Sequence, residues 1–373
     1  MSDDCFTGAY ALRSITWYLH DLKKARELLA GALGFRERSW DEVRSQELDG
    51  SGEETVAFEA AACRVVCAVP GRTGTPAGRF LSQHPAGIGR ITFSVDDLER
   101  ARQQLGQRGA TFISGDRPPH HASFELATPI DDLTFGFVQH PSGGSSESGR
   151  AGGLPGPSHF DHITLNTSTI LPMQLWLAHM FGLRKHWETE FHTAGATAEA
   201  CRSSGLKSVV MADARSKLKF ALNEAKRPNF FASQIELFRK DHGGSGVQHV
   251  AIHVQDIVSV VRAMRDRGVR FACVPARYYD QLPSRLQQIG VGAVSEPVEH
   301  LRDLGILADG SGPGRYLLQI FVEDEASFQG GSSRSPFFFE LIERKGCDEF
   351  GAGNFRALFD SIAAVQTTRA EAP

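Results

Sequence analysis

Along the second half of the chain, hydrophobic positions switch between a two-residue and a helical period. Ile163-Thr164-Leu165 alternates as a strand does, and Leu171–Phe181 has apolar residues at helical spacing at Leu171, Leu175, Ala178 and Met180. Val250-Ala251-Ile252-His253-Val254 predicts a further first strand, followed by a helix over Ile257–Asp266 that ends with Gly268 at a C-cap position. Val209–Leu222 and Tyr316–Phe321 read as strands. The first half repeats this succession, so each half contains two βαβββ units. The fold class is α+β, with four such units in two duplicated domains. Each domain is a curled mixed sheet around a cup, with helices outside and residues of the first and last strands facing inward. The segment from Gly351 to Ile362 predicts a glycine turn and a C-terminal helix. Its Phe355, Leu358, Phe359 and Ile362 fall on one apolar face that can close over the cup.

Two gapless alignments carry the duplication. Arg13–Trp40 matches Asp161–Glu188 at an offset of 148, which places Gly34 on Gly182. The stretch from Gly89 matches that from Gln248, with Arg108-Gly109 on Arg267-Gly268. Between the halves, Pro141–Ser158 is Gly/Ser/Pro-rich and has no hydrophobic period, as a solvated linker does. The predicted domains are therefore 1–140, the linker 141–158, and 159–373.

The halves differ in chemistry. Where the second has His162, His249 and Glu340, the first has Ser14, Arg90 and Gly136. Two histidines and a carboxylate on three separate strands make up the donor set of a facial-triad iron site. The first half reads as a vacant copy. Glu340 stands in the apolar run Phe337–Ile342, where an unpaired carboxylate would be costly. His159, His242 and His253 are nearby alternatives. His253 could face the same side as His249 but would sit about 13 Å along the strand, so these three read as surface or supporting residues. An oxygen- and nitrogen-ligated iron keeps three open positions, enough for a bidentate 2-oxo acid together with dioxygen. Zinc would close its tetrahedron, often with sulfur, and no cysteine falls in register here.

Composition narrows the class further. The chain has 373 residues, 41% hydrophobic and 23% charged, as in an ordinary globular protein with ample core. A formal charge of −4 and the absence of a long basic run give no reason to expect nucleic acid. The acidic start MSDDCFTGAY has no apolar core of a signal peptide, and no stretch approaches the roughly 18 apolar residues of a membrane span. Six scattered cysteines without a CxxC pair fit reduced thiols in the cytoplasm.

With these residues in view, the chain resembles the family of 4-hydroxyphenylpyruvate dioxygenase and 4-hydroxymandelate synthase, within the vicinal-oxygen-chelate superfamily. The matching stretches are Asp161-His162; Gly246 through Ala251; Ala276 through Asp280; Leu301 through Leu307; Leu318 through Phe321; Phe339 through Arg344; and Phe350 through Phe355. The resemblance implies an Fe(II)-dependent dioxygenase whose partners are a 2-oxo acid and O2, with a homo-oligomer as a further possibility. It implies that Ser208, Asn223, Gln234 and Gln248 form a polar set around the substrate, with Gln319 beside the metal. Phe338 and Phe355 would sandwich the aromatic ring, and Thr164, Phe321, Asn354, Leu358 and Phe359 would complete the pocket. Such a substrate serves as its own 2-oxo acid. Attack on the ring gives homogentisate and CO2; attack on the benzylic carbon gives 4-hydroxymandelate. Phe338 and Asn223 match the ring-hydroxylating branch. Thr164, Ala221, Ala225 and an extra loop over 323–333 depart from it, which leaves other aryl or aliphatic 2-oxo acids as alternatives. A binding protein without turnover and an extradiol dioxygenase or isomerase are two further classes. The intact triad argues against the first, and the closing segment Phe350–Phe359 against the second.

Overall fold

Two mixed β-sheets, one in each half of the chain, carry the architecture in a computed structural model. It describes residues 10–43, 53–113, 123–139, 156–192, 205–213, 218–226, 233–323, 335–351 and 353–354. The first sheet contains β1 (Tyr10–Tyr18), β2 (Arg36–Ser39), β3 (Glu53–Ala60), β4 (Cys63–Pro70), β5 (Gly87–Val95), β6 (Ser123–Ala127) and β7 (Thr134–Gln139), in the order β2-β3-β4-β1-β5-β7-β6. The second contains β8 (Pro157–Asn166), β9 (Arg184–His192), β10 (Gly205–Ala212), β11 (Lys219–Ala225), β12 (Gly246–Val254), β13 (Arg270–Phe271), β14 (Leu307–Gly310), β15 (Tyr316–Glu323) and β16 (Phe338–Lys345). Its order is β13-β15-β16-β12-β8-β11-β10-β9, with β14 on β15. In both sheets the first strands of the two units pair antiparallel at the centre, β1 with β5 and β8 with β12. The four-unit reading follows from this order, and the described strands form open sheets.

The duplication extends to single residues. Ser14 pairs with Thr92 and Thr92 with Gly136; in the second sheet His162 pairs with Ala251 and Ala251 with Glu340. Gly34 and Gly182 both turn with positive φ, +74° and +72°, as do Gly109 and Gly268 at +81° and +85°. Those angles favour glycine after a helix. Even the irregularities repeat. The β1–β5 register skips at Arg13 and at Gly89, and the β8–β12 register skips at the equivalent Asp161 and Gln248. Each skip leaves one extra residue on its strand, a β-bulge.

At the register positions of the three donors the first sheet has Ser14, Arg90 and Gly136, and other side chains enter its cup. Tyr18 stands where the second cup has Asn166. Gly89 stands where the second has Gln248, and a Cβ there would come within 2.5 Å of the Tyr18 ring. Arg90 is ion-paired with Glu125 at 2.8 Å, with both side chains buried. A cavity of about 340 Å³ remains beside them.

Aromatic rings join the two halves: Phe135 stacks on Phe220 at 5.6 Å, and Trp17 packs against Phe337 and Phe339. The helix Leu171–Phe181 forms over its expected span. Met173, Leu177, Met180 and Phe181 point inward, while Leu171 and Leu175 are each 58% exposed. Apolar residues lie on nearly every side of this helix, so spacing alone did not select the face. The helix Ile257–Asp266 matches expectation, capped by Asp256. Val209–Leu222 divides into the antiparallel strands β10 and β11. Strand β8 begins at Pro157, two residues inside the expected linker. The helices Trp40–Val43, Pro76–Gln83, Gln234–His242, Ala276–Gln288 and Val298–Leu304 had no sequence assignment. The expected linker up to residue 155, the loop 324–333, and Phe355, Leu358, Phe359 and Ile362 lie outside the described residues. No described helix is long and apolar enough to cross a membrane.

Candidate metal centre

Strands β8, β12 and β16 lie side by side, and their register brings three donors together. Nε2 of His249 is 3.2 Å from Oε2 of Glu340, and Nε2 of His162 is 3.8 Å from the same oxygen. The three donor atoms lie within 4.8 Å of one another, and each residue is at most 3% exposed. Ligands about 2.1 Å from a metal and at right angles stand about 3 Å apart, so this set is close to the spacing of one coordination face. The donors therefore fit a metal ion. Among the described residues no other group of three or more such side chains is gathered in this way.

The bulges explain why the histidines present Nε2. Bulged Asp161 sits beside His162 and accepts from its Nδ1 at 2.8 Å. Bulged Gln248 places Oε1 3.2 Å from Nδ1 of His249. With Nδ1 carrying the proton, Nε2 keeps the lone pair that a metal would bind. Burial opposes charge on Asp161, but hydrogen bonds from Arg344 and His162 outweigh it and hold the carboxyl well below its usual range. Arg344 reaches Asp161 through Nε at 2.6 Å and Nη2 at 2.7 Å. The same guanidinium donates to the carbonyls of Cys347 and Glu349, and Phe350 packs edge-on against His162 at 5.0 Å. Burial also lowers the His249 pKa, and the adjacent Glu340 partly offsets this, so the ring is kept neutral, the form that binds metal.

Glu340 is held from the other side. Gln319 donates Nε2 to Oε1 of Glu340 at 2.8 Å, and Asn354 donates Nδ2 to Oε1 of Gln319 at 2.9 Å. Thr164 lies opposite His249 in the sheet, with its hydroxyl 2.8 Å from Nε2. The Phe338 ring stacks on His249 at 5.1 Å and 22°, and Phe321 meets Phe338 edge-on at 5.8 Å.

Two residues beyond Thr164 on β8, about 7 Å along the strand, a second polar group begins. Asn166, Asn223 and Ser208 are neighbours across β8, β11 and β10 and are buried. Asn223 donates to Asn166 at 3.1 Å, yet Oδ1 of Asn223, Nδ2 of Asn166 and Oγ of Ser208 have no hydrogen-bond partner in the structure. Buried polar atoms left open in this way call for a partner, and a polar ligand end would supply one.

The structure thus gathers His162, His249, Glu340, Thr164, Gln248, Gln319, Phe321, Phe338 and Asn354 around one point, with Ser208 and Asn223 farther off across the neighbouring strands β10 and β11. Gln234 begins a helix packed against β8, β11 and β12. Asn166, Asp161 as a bonding partner, Arg344 and Phe350 were missed as site residues. Asn166 had a signal: it lies four residues after His162, on the same strand face. The competing histidines pair elsewhere, His253 stacked on His159 at 4.7 Å and His242 on His84 at 4.5 Å.

Comparison with known proteins agrees with this geometry. Residues 161–282 match the Glyoxalase/Bleomycin resistance protein/Dioxygenase superfamily. A mutant of 4-hydroxymandelate synthase from Streptomyces coelicolor superposes with a TM-score of 0.74 at 22% identity, covering 96% of this chain and all of that one. That likeness establishes the vicinal-oxygen-chelate fold. The 4-hydroxyphenylpyruvate dioxygenase of Pseudomonas aeruginosa is 30% identical over 79% of this chain and 80% of its own. That of Caenorhabditis briggsae is 31% identical over 79% of this chain and 77% of its own. Identity sustained over that much of both chains means that this chain belongs to the 4-hydroxyphenylpyruvate dioxygenase family.

Proposed function

We propose that Nε2 of His162, Nε2 of His249 and Oε2 of Glu340 hold an Fe(II) ion, and that the enzyme oxidatively decarboxylates 4-hydroxyphenylpyruvate to homogentisate and CO2. The observation that carries this reading is the buried three-donor set with a second, unpartnered polar group beginning farther along the same face of β8. Bound iron would supply the hold on a 2-oxo acid and the activation of dioxygen.

The chain's own residues do the rest. Phe338 offers its face to the substrate ring. Ser208, Asn223 and Asn166 answer a phenol hydroxyl, whose donor and acceptor capacities match their open atoms. The distance from the His249–Thr164 row to Asn166 suits a para-substituted phenyl ring between them. Gln319 fixes Glu340 through one oxygen, while Asp161 and Gln248 fix the two imidazoles. Burial of these groups keeps bulk water from the reacting end. The 1–140 half, whose cup carries Tyr18 and the Arg90–Glu125 pair instead of the three donors, serves as a scaffold and a surface for self-association. The buried free thiols of Cys63, Cys67 and Cys347 support a reducing, cytoplasmic setting.

The test is product analysis after incubating Fe(II)-loaded protein with 4-hydroxyphenylpyruvate under air. Homogentisate is expected. Hydroxymandelate would move the enzyme to benzylic attack, and iron binding without any product would mean that the pocket takes another 2-oxo acid.

A further inference from the structure

The hydrogen bonds behind Glu340 have a direction, and that direction begins at a tyrosine. Tyr278, on the helix Ala276–Gln288, accepts from the backbone N–H of Ala308 at 2.9 Å and from Nη2 of Arg285 at 2.7 Å. Both of its lone pairs are then engaged. Its single proton has two acceptors within reach, Oδ1 of Asn354 at 2.8 Å and the Ala308 carbonyl at 2.9 Å. Arg285 already donates to that carbonyl. A carbonyl can accept twice, but Oδ1 of Asn354 is the closer acceptor and takes the tyrosine proton here.

That donation sets the rest of the chain. With Oδ1 of Asn354 facing Tyr278, its Nδ2 must face Gln319, and it donates to Oε1 there. With Oε1 of Gln319 so engaged, its Nε2 faces Glu340 and donates to Oε1. A flipped amide at either position would set donor against donor or acceptor against acceptor. Asn354, Gln319 and Glu340 are buried to at least 96%, so no bulk water is at hand to repair such a conflict. Burial also pushes the Tyr278 pKa up, which keeps the hydroxyl a donor. The segment entering at Asn354 is pinned independently, by Asp309 accepting from the backbone of Gly353 at 2.7 Å.

We propose that Tyr278 is a positioning residue for the metal centre: through Asn354 and Gln319 its hydroxyl occupies Oε1 of Glu340, so that Oε2 alone faces the two histidines. One-oxygen ligation by Glu340 leaves the remaining coordination positions to ligands from outside the protein. The inference rests on the metal reading above.

The experiment is a titration of metal-free protein with Co(II), followed by visible absorption and without substrate. Tyr278→Phe keeps the ring and removes the donor; Asn354→Asp keeps an acceptor for Tyr278 but has no N–H for Gln319. Loss of an outer partner of a ligand weakens metal binding by about tenfold or more. Both variants are expected to bind Co(II) about that much more weakly, with an altered absorption band as the freed Oε1 enters coordination. Unchanged affinity and an unchanged band in both variants would overturn the relay while leaving the metal site intact. If Tyr278→Phe does not fold, Asn354→Asp decides the matter alone. Failure of the unaltered protein to take up Co(II) would overturn the metal reading itself, and the relay with it.

Discussion

Asp161 and Gln248 each stand one residue before a cup-facing histidine, each is the extra residue of a β-bulge, and each offers an oxygen to that histidine's Nδ1, at 2.8 and 3.2 Å. A regular strand would turn a residue and its successor to opposite faces. The bulge is what lets the acceptor reach its neighbour.

Asp161 has a second task, since the largely buried Arg344 side chain, 10% exposed, is ion-paired with it. Asp161→Asn keeps an acceptor for His162 but leaves the guanidinium without its counter-charge. Breaking a buried pair from one side costs about 3 kcal/mol or more. Loosening His162 should weaken metal binding by about 10- to 100-fold. Denaturant unfolding and a metal titration measure the two effects, and a variant equal to the parent in both would remove Asp161 from the site.

The Thr164 hydroxyl occupies the lone pair that a metal needs on His249. Metal binding must displace it. A neutral hydrogen bond contributes about 1 kcal/mol, so Thr164→Val should bind Fe(II) about fivefold more tightly. Competition with a chromophoric chelator reads this directly. Equal or weaker binding would show that no displacement occurs.

Phe338 stacks on the His249 ring and is braced by Phe321. Phe338→Val removes a face against which a substrate ring can lie, and the ring can then tilt relative to the metal. The product ratio should shift from homogentisate toward hydroxymandelate, as resolved by chromatography. An unchanged ratio would refute a steering role for Phe338.

A separate pH effect comes from His242, which is buried between His84 and Phe238. Burial first, then the nearby His84, lowers its pKa to about 4. A histidine depressed in the folded state contributes stability that is fully present above its unfolded pKa of about 6.5 and lost as pH falls toward the folded value. The loss between pH 7 and 5 should be about 2 kcal/mol. His242→Gln should be less stable at pH 7 yet lose less over that interval, as followed by denaturant unfolding. Parallel pH profiles for the two proteins would remove His242 as the source.

Much of the centre could be read in the sequence because duplication supplied the alignment that a single chain lacks. His162, His249 and Glu340 stood out only against Ser14, Arg90 and Gly136. Thr164 and Phe338 followed from the resemblance. Other features were hidden for physical reasons. A bulge leaves no composition mark, so Asp161 and Gln248 could not be assigned their shared task. Arg344 stands four residues beyond Glu340 on β16 and acts on His162 only through Asp161, a contact between strands that sequence does not show. The buried face of Leu171–Phe181 could not be read from spacing because apolar residues surround that helix, and its orientation depends on the sheet beneath.

The most direct test of the account is oxygen uptake by Fe(II)-loaded protein supplied with 4-hydroxyphenylpyruvate, measured beside Glu340→Ala. The account predicts uptake matched by CO2 release in the unaltered protein and none above background in the variant. Equal uptake by both, or none by the unaltered protein with any 2-oxo acid, would contradict it.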